Sequence, residues 1–170
     1  RRLRVLPGVE MSTELGAAEV HILGYLVDCG NQRLLDAFER SRQGRVSRAR
    51  EIVDRLRSLG LRINYEQVAE VAGEGTVGRP HIARVLVSEG LVRSQAEAFS
   101  RFLRRGRPAY AARLKMLPEQ AIEVVRAAGG AAVLAHPGLV RDRTAVERIL
   151  ELGVDGIEAY HSEHSDAATR

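Results

Sequence analysis

Residues Ala131-Ala132-Val133-Leu134-Ala135-His136-Pro137-Gly138 are the stretch on which the reading of this chain turns. Five apolar residues make a run of strand length, closed by an imidazole, a proline and a glycine, which reads as a buried strand with a sharp turn at its end. Proline disfavours helical backbone in the residue before it, so His136 is expected to be extended and Gly138 to permit the turn. Upstream, Gly8-Val9-Glu10 and Glu19-Val20-His21-Ile22-Leu23-Gly24 repeat the arrangement, with a carboxylate and a second imidazole in strand-like runs. Three hard or borderline metal ligands on three such segments suggest a metal site at one face of an α/β scaffold.

Working outward, Leu3 to Glu10 and Glu19 to Val27 read as strands joined by a polar turn around Ser12, Thr13, Glu14 and Gly16, able to pair as neighbours. From Gln32 the period changes. Leu34, Leu35, Phe38, Ala49, Ile52, Val53, Leu56 and Leu59 fall at three- and four-residue spacings, the stripe of one long amphipathic helix or of two broken near Gly44, with Gly60 as C-cap. Asn64 with Gln67, and Ser94 with Glu97, have the spacing of capping boxes, and Pro80 suits a helix start before Val87. The second box opens a helix that carries Ala98, Phe99, Phe102 and Leu103. Residues 32–107 therefore read as a helical insertion between 1–31 and 108–170. In the last segment a helix from Pro118 to Ala128, a strand Ala131 to Ala135, a helix Val146 to Leu152 and a strand Gly156 to Tyr160 restore an α/β rhythm that favours parallel strands.

The chain has 170 residues, 45% of them apolar, enough for a substantial core in one domain or in one domain with an inserted subdomain. Its net charge is +4, yet of 26 basic residues only Lys115 is a lysine. Position says more than the total: Arg40, Arg42, Arg45, Arg48, Arg50, Arg55 and Arg57 crowd one helical stretch, and Arg101, Arg104, Arg105 and Arg107 another. Such clusters are either solvated helix faces or a field that attracts a polyanion. One cysteine, Cys29, excludes an intramolecular disulfide framework and suits a reducing cytoplasm. No stretch approaches the roughly 18 apolar residues of a membrane span. A cytoplasmic location without membrane contact is the expectation, and no protein partner is evident.

G-V-E-M-S-T from Gly8, V-H-I-L-G-Y from Val20, G-R-P-H-I-A-R from Gly78 and G-G-A-A-V-L-A-H-P-G from Gly129 together resemble the PHP (polymerase and histidinol phosphatase) superfamily of metal-dependent phosphoesterases. The branch they resemble acts on nucleotide 3′-phosphates and RNA 5′ ends. The match runs through nearly the whole chain, but two family segments are not in this sequence: an opening H-x-H with S-D-G, and a closing Asp-x-His pair. The chain starts at Arg1 without methionine, so a fragment of such a protein is the natural inference. The resemblance implies part of a distorted (β/α)₇ TIM-like barrel interrupted by an all-helical lid.

By the resemblance, His136, Glu10 and His21 would be metal ligands, with Glu10 bridging two cations. Taken singly, each has a blander reading: His136 as a hydrogen-bonded strand cap, Glu10 as a surface residue at a strand end, His21 as a satisfied core histidine. Arg79 and His81 open a helix where backbone amides and a guanidinium suit a phosphate, although solvated or capping groups are common there. Arg113 and Lys115 lie where the chain returns from the insertion and are either phosphate contacts or solvent-exposed. His161 and His164 follow the last strand, and their i, i+3 spacing would permit chelation at a helix start. Leu117 stands where the family often shows a serine that caps the next helix.

The activity implied is hydrolysis of nucleoside 3′,5′-bisphosphates or short 5′-phosphorylated RNA by water activated on up to three divalent cations, with manganese, iron or zinc the plausible ions. With motifs missing at both ends, this polypeptide alone is expected to bind metal weakly and turn over little. The competing reading is a non-catalytic module of the same descent whose arginine-rich insertion binds nucleic acid or protein. A polymerase-associated PHP domain is disfavoured by the R-P-H-I-A-R and E-A-F segments.

Overall fold

The structure is a computed structural model that describes residues 3–113 and 115–169. The outermost positions of the expected terminal segments, and Leu114, lie outside the described residues. The chain forms two compact units. One comprises the chain up to Phe38 and again from Lys115 onward; the other runs from Glu39 to the residues before Lys115.

The first unit is built on a four-stranded mixed sheet of order β1-β2-β3-β4: β1 Gly8–Leu15, β2 Ala18–Tyr25, β3 Ala131–Leu134 and β4 Gly156–Ile157. β1 and β2 are antiparallel and pair from Gly8↔Tyr25 to Leu15↔Ala18, leaving only Gly16 and Ala17 as the hairpin loop. Gly16 supplies the positive φ (61°) that such a two-residue turn requires. The expected turn at Ser12 to Glu14 is therefore strand. Thr13 is fully buried with its hydroxyl donating to Val20 O (2.7 Å), and the Glu14 N–H is bound by Met116 O (3.1 Å). Conversely, Leu3, Val5 and Leu6 are exposed and outside β1, because apolar content without a strand partner does not make a strand.

β2 also pairs antiparallel with β3, whereas β3 and β4 are parallel and joined through α6 (Arg143–Glu151). α5 (Pro118–Ala127) precedes β3 and buries Ala121, Ile122 and Val125 in a core with Met11, Val20, Ile22, Leu34, Leu134 and Ile149. The strict alternation in β2 buries Val20 and Ile22 and leaves His21 and Leu23 on the opposite, half-buried face.

The second unit is helical. α1 runs unbroken from Gln32 to Ser58, so Gly44 does not interrupt it, and Gly60 (φ 84°) ends it. Its stripe buries Ala49, Ile52, Val53 and Leu56, while Leu35, Phe38 and Leu59 of the expected stripe are exposed. α2 (Tyr65–Ala72) has its capping box in full, Gln67 N–H to Asn64 Oδ1 (2.9 Å) and Asn64 N–H to Gln67 Oε1 (2.8 Å). α3 spans Arg79–Ser88. The box at Ser94 is half formed: Ser94 Oγ caps Glu97 N–H (3.1 Å), but the Glu97 carboxylate takes the N–H of Arg93 (2.8 Å). α4 is then only Gln95–Ala98, and the chain widens into a π-type turn, Phe99–Leu103, closed by Arg104 N–H on Phe99 O (3.0 Å). Ala109 and Ala111 are buried with Leu56, Ile82, Leu86 and Leu103.

Three arginines of the basic clusters are engaged by local carboxylates: Arg42 with Glu39, Arg55 with Glu51 and Arg101 with Glu97. Arg50 stacks on Tyr65 at 4.0 Å, and Arg48 donates to Ala111 O (2.8 Å). Cys29 is exposed as a free thiol, and among the described residues no helix is long and apolar enough to cross a membrane.

Candidate metal centre

Glu10 and His21 lie on adjacent strands, and the register places Glu10 opposite Leu23, diagonal to His21 on the same face of the sheet. β3 brings in the third residue. The Ala135 N–H donates to His21 O (3.0 Å), extending the β2–β3 pairing by one step and delivering His136 beside His21.

His136 is not extended, contrary to the expectation for a residue before proline. Its φ is 30° and ψ 56°, the left-handed region, and Pro137–Leu139 follow as a 3₁₀ turn. A side chain other than glycine is strained in that region by roughly 1–3 kcal/mol. Two contacts hold it there. The His136 N–H donates to Glu158 Oε2 (2.8 Å), and Leu139 N–H closes the turn on His136 O (3.0 Å). Glu158 itself is placed by its own N–H, which donates to Leu134 O (2.9 Å) beyond β4.

The result is a tight cluster. His21 Nδ1 lies 2.6 Å from Glu10 Oε1 and 3.2 Å from His136 Nε2, and His136 Nε2 is 3.6 Å from Glu10 Oε1. The two rings meet edge to face, with centroids 5.0 Å apart. The cluster opens into a cavity of about 370 Å³ whose other walls include Glu158, His161 and Glu163. His161 continues the row, 5.3 Å from His136 and 5.4 Å from His164 between ring centroids. His164 Nδ1 approaches Ala159 O (3.1 Å).

The donor set suits a cation. A carboxylate oxygen and two imidazole nitrogens offer lone pairs, and lone pairs held 2.6 to 3.6 Å apart repel unless a proton or metal lies between them. Tetrahedral bonds of about 2.1 Å put neighbouring donors about 3.4 Å apart, within the range seen here. One ligand atom from each of Glu10, His21 and His136 lies within 4.8 Å of the other two.

The remaining predicted residues are placed as follows. The Lys115 ammonium bonds Glu19 Oε2 (2.8 Å), and Glu19 Oε1 faces His21 Nε2 (3.4 Å). Lys115, first by hydrogen bonding and also by its charge, holds the Glu19 carboxyl below its ordinary value against the opposing effect of burial. Arg79, His81 and Arg113 belong to the helical unit. His81 is a cap, its Nδ1 accepting the Gly78 N–H (3.0 Å), and burial first, then the charge of Arg84, lowers its pKa. Arg79 donates to Leu103 O (3.2 Å) and sits near the Phe99 and Tyr110 rings; Arg113 donates to Ser41 Oγ (3.2 Å). Sequence reasoning missed Glu19 and Glu158. The signal for Glu19 was its i, i+2 relation to His21 along a strand; Glu158, just after β4, had no local one.

No family model matches the chain. Among characterised proteins it is 37% identical over 136 residues to the 5′-3′ exoribonuclease Rnm of Salmonella typhimurium, covering 80% of this chain and 46% of that protein. It is 32% identical over 171 residues to a 3′,5′-nucleoside bisphosphate phosphatase of Chromobacterium violaceum, covering 97% of this chain and 60% of that protein. The chain thus spans about half to three fifths of the length of these relatives. Two solved structures share its fold across 96% of its length and 60% of theirs. One is an amidohydrolase from Chromobacterium violaceum with bound sulfate and no metal (TM-score 0.75, 32% identity). The other is a Bifidobacterium adolescentis protein assigned as a metal-dependent phosphoesterase (TM-score 0.78, 26% identity). In its motifs and fold the chain is similar to these phosphatase, exoribonuclease and metal-dependent phosphoesterase relatives over about half to three fifths of their length.

Proposed function

We propose that the protein carrying this chain is a metal-dependent phosphoesterase that hydrolyses nucleoside 3′,5′-bisphosphates or short 5′-phosphorylated RNA. The observation that carries the reading is the convergence of Glu10, His21 and His136, from three different strand segments, on one point with donor atoms within 4.8 Å. The names of the relatives supply the substrate class. In this reading the sheet with its β3-α6-β4 crossover is part of a distorted TIM-like barrel, interrupted in sequence by the helical unit.

In this reading Glu10, His21 and His136 hold divalent cations, manganese, iron or zinc, with up to three in the whole protein. Such cations polarise a phosphoryl oxygen and acidify a water towards neutral pH. The chain's own part is to fix the donors. β1 and β2 hold Glu10 and His21 in register, and the 2.8 Å bond that the His136 N–H donates to Glu158 holds His136 in its left-handed conformation. The cavity beside them, about 370 Å³, is large enough for a phosphoryl group and part of a sugar. Arg79, His81, Arg113 and Lys115 are the residues proposed to meet the substrate, with Arg79 the phosphate contact, and each also has a partner within its own unit.

The test is manganese-dependent phosphate release from adenosine 3′,5′-bisphosphate and nucleotide release from 5′-phosphorylated RNA, each with and without chelator. Chelator-sensitive hydrolysis of either supports the reading. No hydrolysis of either by the whole protein, with metal bound, favours a non-catalytic module.

A further inference from the structure

Charge is unevenly divided along this chain. Residues 39–114 carry sixteen arginines against eight carboxylates, a net of +8, while the remainder carries a net of −4. In the helical unit Arg42, Arg55 and Arg101 have carboxylate partners. Arg104, Arg105 and Arg107, crowded into four positions, have none among the described residues, and all three are exposed. They stand on a strap that is fixed at several points. The Arg107 N–H closes a turn on Arg104 O (3.0 Å), with Gly106 (φ 81°) in the left-handed position, and the Tyr110 N–H closes a second on Arg107 O (2.9 Å) around Pro108. The Ala109 N–H ties the strap to Phe102 O (3.1 Å), and Leu103, Ala109 and Ala111 are buried. Three other arginines clamp its carbonyls: Arg79 on Leu103 O (3.2 Å), Arg48 on Ala111 O (2.8 Å) and Arg55 on Tyr110 O.

We infer that the strap carrying Arg104, Arg105 and Arg107 is a docking site for the sugar-phosphate backbone of single-stranded RNA, held by its phosphates and not by base sequence. Like charges gathered on one tight turn repel, and an anion among them removes that cost. A guanidinium pairs with phosphate oxygens through two parallel hydrogen bonds, and phosphates recur along a strand so that one ligand can meet all three. Such contacts position a nucleic acid without reading its sequence. Because the strap is already fixed in place, little backbone entropy is lost when the strand binds. Of the two substrates proposed above only RNA extends past one nucleotide, and the choice of ligand rests on that reading. The strap thus bears on how a long substrate is gripped, separately from the hydrolysis itself.

The test is fluorescence anisotropy of a 3′-labelled, 5′-phosphorylated oligouridylate with the whole protein that carries this chain, in chelator to prevent hydrolysis and across a salt series. The triple variant Arg104→Ser, Arg105→Ser, Arg107→Ser should bind about 10-fold or more weakly at about 0.1 M salt. Its slope of log affinity against log salt should be shallower by about 2, since each lost phosphate contact on a single strand is worth about 0.7. The matching triple lysine variant should keep most of the slope. Manganese-dependent hydrolysis of adenosine 3′,5′-bisphosphate and the thermal melt should be unchanged in the serine variant. Wild-type RNA affinity and slope in that variant would overturn the inference. So would an equal loss of bisphosphate hydrolysis, which would put the strap in the mononucleotide site. Equal competition by polyglutamate of the same charge would also overturn it, in favour of an acidic protein partner. Failure of the phosphoesterase reading shows separately, as no chelator-sensitive hydrolysis of either substrate by the wild type whatever its RNA affinity.

Discussion

Glu158 Oε2 accepts a hydrogen bond from the backbone N–H of His136 at 2.8 Å, tying the residue after β4 to the left-handed residue after β3. Removing the acceptor leaves a strained backbone with one restraint fewer. Glu158→Ala should cost about 1–2 kcal/mol in urea unfolding, and Glu158→Gln, which retains an acceptor oxygen, should cost clearly less. Equal losses in the two variants would mean that charge, not the hydrogen bond, is what matters there.

His81 gives the helical unit a pH dependence. Its Nδ1 must be unprotonated to accept the Gly78 N–H, and burial with the Arg84 charge places its folded pKa below the ordinary 6.5. The folded state therefore binds fewer protons. The stabilisation is complete above 6.5, is lost as pH falls below that value, and levels off once the pH is under the folded pKa. His81→Ala should cost about 1 kcal/mol at pH 8, as a lost helix cap does, and should flatten stability between pH 7 and 5. Urea midpoints across that range check it.

Two glycines approach the core closely for different reasons. A Cβ on Gly130 would lie 2.6 Å from Val27 Cγ1 and 2.7 Å from the backbone oxygen of Tyr25, whereas on Gly24 its nearest neighbour is Val125 Cγ2 at 2.8 Å. A side chain can change rotamer, but a strand carbonyl is held by its sheet. Gly130→Ala should destabilise by about 1–3 kcal/mol, and Gly24→Ala by less. Thermal melts of both variants settle the order.

Leu117 occupies the N-cap of α5 with extended backbone (φ −72°, ψ 149°) and an exposed side chain that offers no acceptor. Leu117→Ser would present an oxygen to the first-turn N–H groups and should add about 1 kcal/mol, raising Tm. An unchanged or lower Tm would show that the Leu117 N–H bond to Gln120 Oε1 (3.1 Å) already meets the need of this terminus.

Much of this architecture was legible from local signals. The period-2 run around Val20 and Ile22, the stripe Ala49 to Leu56 and the Asn64–Gln67 box each specify structure within a few residues, and each element formed as expected. The misreadings share a cause. Ser12 to Glu14 look like a turn by composition but are strand because Val20 and Met116 supply partners distant in sequence. Leu3, Val5 and Leu6 look like strand but lack such partners within β1. At the site, Glu10, His21 and His136 were visible as residue types within or at the ends of strand-like runs, while the left-handed turn at His136 depends on Glu158, over twenty residues away, which no local pattern announces.

Glu10, His21 and His136 are together proposed to hold a divalent cation, and the most direct test is manganese binding by calorimetry or EPR in the whole wild-type protein that carries this chain and in its Glu10→Ala, His21→Ala and His136→Ala variants. The account predicts bound manganese in the wild type and a loss of about 10-fold or more in affinity in every variant, with folding intact by circular dichroism. Wild-type affinity retained in all three variants, or no manganese bound by the folded wild type, would contradict it.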